Sequence, residues 1–355
     1  MATEELDAAR VEAFGEQALG IVNGGFLSLM LGLGHRTGLF DALSGLSAST
    51  CAEVARASGL NERYVREWLG AMTVGGIVEY DPETGTYLLP AEHAVLLTRS
   101  AGPDNMAAFA EVVAQVAPVY DDLVECFRHG GGVPYSQFRH FHADMRELSA
   151  PIFEATLLEK TLPLANGLVE RLERGIDVLD AGCGGGYAVA LLARTFPSSR
   201  FSGYDFESDA IELARSGADD LPNLRFDVRD LAQLNEGDAY DLITAFDIVH
   251  DQAQPRRVLA NIARALRSGG TFLMVDVAAS SRLEENIENP LAPFLYGVSV
   301  MHCMTVSLAQ GGEGLGTVWG EQKARELLTE AGLAGVDVKR VEGDPLNNIY
   351  IATKP

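Results

Sequence analysis

Cysteine is scarce in this 355-residue chain, and cations are heavily outnumbered. The four cysteines, Cys51, Cys126, Cys183 and Cys303, lie far apart and form no CxxC pair. That spacing excludes a zinc ribbon and a disulfide-knit secreted scaffold, and it predicts a reducing, cytoplasmic setting. Lysine and arginine number 27 against 50 aspartates and glutamates, a formal net charge of -23 at pH 7. A field of that sign repels phosphate backbones and no locally basic face offsets it, so nucleic acid is not expected as a partner. The start, MATEELDAARVEAF, carries acids where a secretory leader would carry basic residues, and no apolar run reads as a membrane span. The expectation is a soluble chain with no membrane partner. Internal repeats and low-complexity tracts are also missing.

What is present is globular: hydrophobic residues make up 47% and charged residues 22%, in a chain longer than a usual single domain. From Ala8 to about Leu46 apolar residues recur at near-helical spacing, interrupted by glycines, which predicts packed helices at a subunit interface. CAEVARASGL, NERYVREWLGAMTVGG and IVEYDPETGTYLL then give a helix, a second helix with Asn61 as N-cap, and a hairpin turning at Asp81 to Gly85. This is winged-helix order. In the helix that would read DNA, Arg63 and Arg66 are offset by Glu62 and Glu67. Tyr64, Val65, Trp68, Leu69 and Met72 form an apolar face expected to pack, so the module is assigned to architecture. Residues from Pro103 to Glu173 are mainly helical, broken at Gly130 to Gln137. The expected domains are therefore 1–100 (helical and winged-helix), 101–172 (helical bridge) and 173–355.

From Gly175 onward short β-branched runs alternate with amphipathic helices, the mark of a parallel sheet covered on both faces. Strands fall at DVLDAG, RFSGYDF, NLRFDVRD, YDLITAFDIV, GGTFLMVDVA, GVDVKRVEG and NNIYIATK. Helices fall at YAVALLARTF, SDAIELARSG, QPRRVLANIARALRSG and GEQKARELLTEAG. Ala279 to Val318 is the one irregular stretch, and an insertion after a strand's carboxyl end covers a ligand site. Its GGEGLG run, Gly311 to Gly316, is expected to form a mobile turn over the substrate.

VLDAGCGGGYAVALLA places Asp180 at a strand end and Gly182, Gly184 and Gly186 in the turn that opens a helix, where bare backbone lets a ligand approach closely. Asp205, followed by Phe206, ends the next strand, where a carboxylate binds the two hydroxyls of a ribose. Asp230 is placed to accept an adenine amino group, with Leu231 adding a backbone contact. His140 and His142 in YSQFRHFHADM have a spacing that puts them on different helical faces. Tyr135, Phe138 and Phe153 are read as lid or core aromatics, and Cys303 as buried packing.

In this order and spacing, VLDAGCGGG, GYDFES, DVRDL and AFDIVHD resemble class I S-adenosylmethionine-dependent methyltransferases over residues 160 to 355. The whole chain is similar to a bacterial methyltransferase family with an N-terminal winged helix. The resemblance implies a Rossmann-like, seven-stranded α/β domain behind a mainly helical winged-helix domain, closing on a strand hairpin. It also implies S-adenosylmethionine as cofactor, with Phe246 and Asp247 beside its methionine part, and a homodimer joined through the N-terminal region. A small-molecule acceptor would be methylated on oxygen, sulfur or activated carbon. Plant O-methyltransferases carry a similar His-Asp pair where this chain has His250 and Asp251, which implies His250 as general base. Metal-dependent α-keto acid C-methyltransferases add a second histidine in the later insertion. His302 matches that place, so His250, Asp251 and His302 would hold iron or zinc. The alternative of another class is a winged-helix transcriptional regulator that senses a ligand.

Overall fold

A computed structural model describes residues 6–138, 141–342 and 344–355; His140 lies outside the described residues. The chain forms two units, Met1–Gln115 and Val116–Pro355. Of the stretch read as a helical bridge, residues 101–115 go with the first unit and 116–172 with the second.

The first unit begins with a 29-residue helix, Ala8–Arg36, whose N-cap Asp7 accepts from the amides of Ala9 and Arg10. Near its end Gly34 lies so close to Phe40 and Trp68 that a Cβ there would stand 2.4 and 2.6 Å from their rings. The earlier turns are open: Val11, Phe14, Leu19, Ile21, Val22 and Phe26 are 56 to 67% exposed. By length and composition this helix could cross a membrane, as could Ala292–Ala309, much of which is buried. The reading that no apolar run reaches that length is therefore corrected. Glycines dilute the apolar pattern of the first helix without breaking it, because Gly15, Gly20, Gly24 and Gly25 meet no neighbour.

The winged helix follows as expected. Helix Cys51–Ser58 is opened by a Thr50/Glu53 capping box, and Asn61 caps helix Glu62–Val74 by accepting from Arg63 N at 3.0 Å. Strands β1 (Ser49–Thr50), β2 (Glu79–Asp81) and β3 (Thr86–Leu88) form an antiparallel sheet in the order β1-β3-β2. Val65, Trp68, Leu69 and Met72 are buried with Phe40 and Val54. Tyr64 is instead 81% exposed, because it lies on the flank of the apolar stripe in the first turn, where nothing in the unit covers it. Arg63 pairs with Glu67 at 2.5 Å and Arg66 with Glu62 at 2.7 Å, so the helix presents neutralised arginines.

The second unit holds the seven-stranded sheet. Its strands are β4 (Asp177–Ala181), β5 (Arg200–Asp205), β6 (Leu224–Val228), β7 (Tyr240–Phe246), β8 (Leu266–Val277), β9 (Ala334–Lys339) and β10 (Asn347–Thr353), in the order β6-β5-β4-β7-β8-β10-β9. The first five run parallel, and β10 is antiparallel to both β8 and β9. Apolar clusters cover both faces of the sheet, as the near-continuous burial of β4, β5 and β7 requires. Two boundaries differ from expectation. The helix after β7 ends at Ala265, and Leu266 already pairs with Tyr240 across a register shift in β8. The stretch after β8 is largely helical, with Leu283–Asn286, Ala292–Val298 and Met304–Ala309 interrupted by a π-turn at Ser299–Cys303. A π-turn breaks the 3.6-residue period by which sequence reveals a helix.

The chain winds from β4 outward through β5 and β6, then returns to β7 on the other side of β4. A ligand crevice in an open α/β sheet forms at that reversal, outside the carboxyl ends of the strands. Asp180, Asp205, Asp247, His250 and Asp276 all lie at or just beyond those ends.

Candidate active site

The loop after β4 is built for close approach. Gly182, Gly184 and Gly186 have φ of 73°, 49° and 73°, the left-handed region that favours glycine. The amides of Gly182 and Cys183 donate to Tyr204 O at 2.8 and 3.0 Å, holding the loop against β5. A Cβ on Gly182 would stand 2.9 Å from Ile248, and one on Gly186 2.7 Å from Ala214; one on Gly184 would meet nothing. The loop is packed on its protein side and open at its tip. Asp205 is buried at the end of β5, and its carboxylate accepts from Gly184 N at 2.9 Å and Glu207 N at 3.0 Å. Asp180 is buried behind the loop and accepts from Thr244 Oγ1 at 2.7 Å. Burial pushes its carboxyl up to about 7, against the Thr244 hydroxyl and with help from Asp205.

The remaining cofactor candidates ring this loop. Phe206 is partly exposed and meets Tyr135 edge-on at 5.5 Å. Asp230 is exposed and caps the turn Leu231–Gln233, with one oxygen on Ala232 N and the other on Gln233 Nε2; Leu231 is buried in the core. Phe246 meets Phe153 edge-on at 5.1 Å. Asp247 has φ 54°, an uncommon conformation for a side-chain-bearing residue, and its amide donates to Val275 O at 2.9 Å.

His250 is buried just past β7. Its Nδ1 lies 2.8 Å from Asp276 Oδ1 at the end of β8, and the same oxygen accepts from Trp319 Nε1 at 2.9 Å and Val277 N at 2.8 Å. Burial alone would lower the imidazole pKa, but Asp276 and the adjacent Cys303 thiol outweigh it and hold the value well above 6.5. Cys303, expected as packing, is buried and also touches the histidine's electrostatics. Asp251 points the other way and accepts from the Tyr135 hydroxyl; burial pushes its carboxyl up to about 6, against His250 and Tyr135. The Gly311–Gly316 turn is tied down: Glu313 N donates to Ala253 O and Gly316 N to His250 O, so it brackets the histidine loop.

His302, in the π-turn, is buried and stacks on Phe141 at 4.0 Å, with Phe138 and Tyr135 edge-on at 4.6 and 5.3 Å. Among the described residues its Nε2 is buried without a hydrogen-bond partner. His142 stacks beside Tyr135 at 6.2 Å. Among the described residues one group could seat a metal with all ligand atoms within 4.8 Å of one another: Asp247, His250 and Asp276. Asp251 and His302 are not in it. Sequence reading missed Asp276 and Trp319. The carboxylate in MVDVA, at the carboxyl edge beside the histidine-bearing strand, was the available signal for Asp276. Nothing local marked Trp319.

Residues 25–99 match the family described as Rv2258c-like winged HTH domain, and residues 172–332 match the methyltransferase domain family. Human N-acetylserotonin methyltransferase, solved in complex with SAM, superposes with a TM-score of 0.70 at 18% identity, covering 100% of this chain and 99% of that one. Mitomycin 7-O-methyltransferase superposes at 0.69 and 20% identity, covering 98% and 100%. These likenesses establish a shared fold. A trans-aconitate 2-methyltransferase from Deinococcus radiodurans is 38% identical over 109 residues, 29% of this chain and 38% of that protein. The ubiquinone biosynthesis O-methyltransferase of Candida albicans is 29% identical over 106 residues, 29% of this chain and 32% of that protein. The chain thus spans about a third of the length of these curated relatives. The second unit thus carries a methyltransferase-domain match over residues 172–332, and the first a winged helix-turn-helix match over residues 25–99.

Proposed function

We propose that the chain transfers a methyl group from S-adenosylmethionine to a small-molecule acceptor, with His250 as general base. The carrying observation is the pairing of the glycine loop and Asp205 with a buried His250–Asp276 dyad at the same sheet edge. S-adenosylmethionine supplies an electrophilic methyl group on a cationic sulfur. The bare backbone of the glycine loop at Gly182 and Gly184 would let its amino acid part lie close beside the Asp180 carboxylate, and Asp205 would take its ribose. Asp230 with Leu231 and Phe206 would border the adenine, and Phe246 with Asp247 the methionine chain. His250 Nδ1–H donates to Asp276, which makes Nε2, near the Cys303 thiol, the nitrogen that takes the acceptor's proton as the acceptor's electron pair forms the new bond to the methyl carbon and the carbon–sulfur bond breaks. Asp276 orients the ring and offsets the charge it gains, a positioning role sustained by Trp319. Turnover of labelled S-adenosylmethionine by wild type and its loss in His250→Ala, with cofactor binding retained, tests this; equal turnover in both refutes it.

Iron or zinc on His250, Asp251 and His302 is the rival reading of the same site. The His302 Nε2, without a partner among the described residues, favours it. The engagement of Asp251 by Tyr135 and of His250 by Asp276 favours the base. Such a metal would polarise the acceptor oxygen or thiol. Near-stoichiometric iron or zinc that disappears in His302→Ala would decide for it.

The open apolar face of Ala8–Arg36 supports a homodimer in which a second copy covers that face. The paired arginines of the winged helix and the net charge of -23 support a chain that does not bind nucleic acid. Four free cysteines support a reducing, cytoplasmic setting.

A further inference from the structure

His302 sits in an environment that the base mechanism does not use. It is 2% exposed, inside a cage made by Phe141 stacked on one face and by the edges of Phe138 and Tyr135. What its ring offers is one directed hydrogen bond, and its Nε2 has no partner among the described residues. An unpaired buried polar atom carries its full desolvation penalty until a ligand meets it.

The cage is continuous with the reaction centre. Tyr135 forms one wall and donates to Asp251, the neighbour of His250. The same ring meets Phe206, which follows the ribose carboxylate Asp205. One aromatic wall therefore runs from the cofactor side of the crevice to the base. Ring edges and faces favour a flat aromatic partner over a flexible aliphatic chain.

We infer that Phe138, Phe141, Tyr135 and His302 form an acceptor subsite for a planar aromatic molecule with two polar groups: one, facing His250, is methylated, and the other hydrogen-bonds His302 Nε2. This inference rests on the methyl-transfer reading above. His302 is thereby a specificity-determining residue.

The test pairs phenols with analogues that lack the second polar group: salicylamide against phenol, and 3-hydroxy-2-naphthamide against 2-naphthol. Methyl transfer from labelled S-adenosylmethionine and binding to protein loaded with S-adenosylhomocysteine are both measured. Wild type should favour the two-group member by about tenfold or more in kcat/KM, the cost of leaving one buried polar group unpaired. His302→Phe should lose that preference mainly through KM while binding S-adenosylhomocysteine as wild type does, and His302→Gln should restore part of it. The wild-type comparison stands even where a variant fails to fold. Equal handling of both members by wild type, binding of neither member by a protein that binds S-adenosylmethionine, or bound metal lost with His302 overturns the subsite. Failure of wild type to bind S-adenosylmethionine at all would instead overturn the methyl-transfer reading.

Discussion

His250 Nδ1 and Asp276 Oδ1 are 2.8 Å apart, although 26 residues separate them in the chain. The contact joins the loop after β7 to the end of β8, and Trp319 closes it from the start of the Gly320–Glu330 helix. Three segments converge on one carboxylate oxygen. The consequence is a fixed tautomer of the neutral ring, with the proton on Nδ1 and the lone pair on Nε2. Asp276→Asn should lower kcat by about 10² to 10³-fold, because the amide can hold the ring in the wrong tautomer and cannot offset its charge. Trp319→Phe should cost about tenfold, the loss of one hydrogen bond to a charged group. Both should bind S-adenosylmethionine as wild type does in calorimetry; a loss of binding would make these residues structural.

The raised pKa of His250 fixes the direction of the pH dependence. The protonated ring cannot accept a proton, so the rate should climb with pH through a midpoint above 6.5, and Asp276→Asn should move that midpoint down. Stability runs the other way: the ion pair is fully present below the unfolded histidine value of 6.5 and is lost as pH rises through the folded value. Rate and melting temperature measured across the same pH series should therefore diverge. A rate that is flat or falling over that range would contradict the base assignment.

Asp180 makes a separate prediction about binding. Burial pushes its carboxyl up to about 7, and only the ionised form can hold the cofactor's ammonium group. Affinity should fall as pH drops below that value, and binding there should release a proton, which calorimetry in buffers of different ionisation enthalpy detects. Asp180→Asn should weaken binding and abolish the proton release.

Much of this fold is legible in the residues because each element obeys one period. The runs from DVLDAG to NNIYIATK each mark an observed strand, and the glycine loop announces its own backbone. The parts that were hidden obey no local rule. Strand β1 has two residues, the Ser299–Cys303 turn breaks the helical period, and Tyr64 shares the composition of a buried face without its cover. His250 was readable because it follows a strand end in a motif. Asp276 depends on which strand lies next to β7, a fact of sheet order that no short window contains.

The glycine loop can be challenged directly. Gly186→Val combines a φ of 73° with a Cβ pressed to 2.7 Å from Ala214, so unfolding should come easier by about 3 kcal/mol or more. Gly184→Ala, whose Cβ meets nothing, should cost only about 1 kcal/mol of backbone strain. Chemical denaturation measures both; equal costs would mean that packing around Gly186 is not what selects glycine there.

The exposed face of Ala8–Arg36 should be covered in solution by a second copy. Wild type should sediment as a dimer, and Leu19→Glu with Phe26→Glu should sediment as a folded monomer. A monomeric wild type, or partition of wild type into lipid vesicles, would assign the helix elsewhere.

The most direct test of the account is calorimetric titration of S-adenosylmethionine into the purified chain and into Asp205→Ala. One site per chain in the first and no measurable heat in the second is the predicted result. No binding to the wild-type chain, or undiminished binding to the variant, would contradict it.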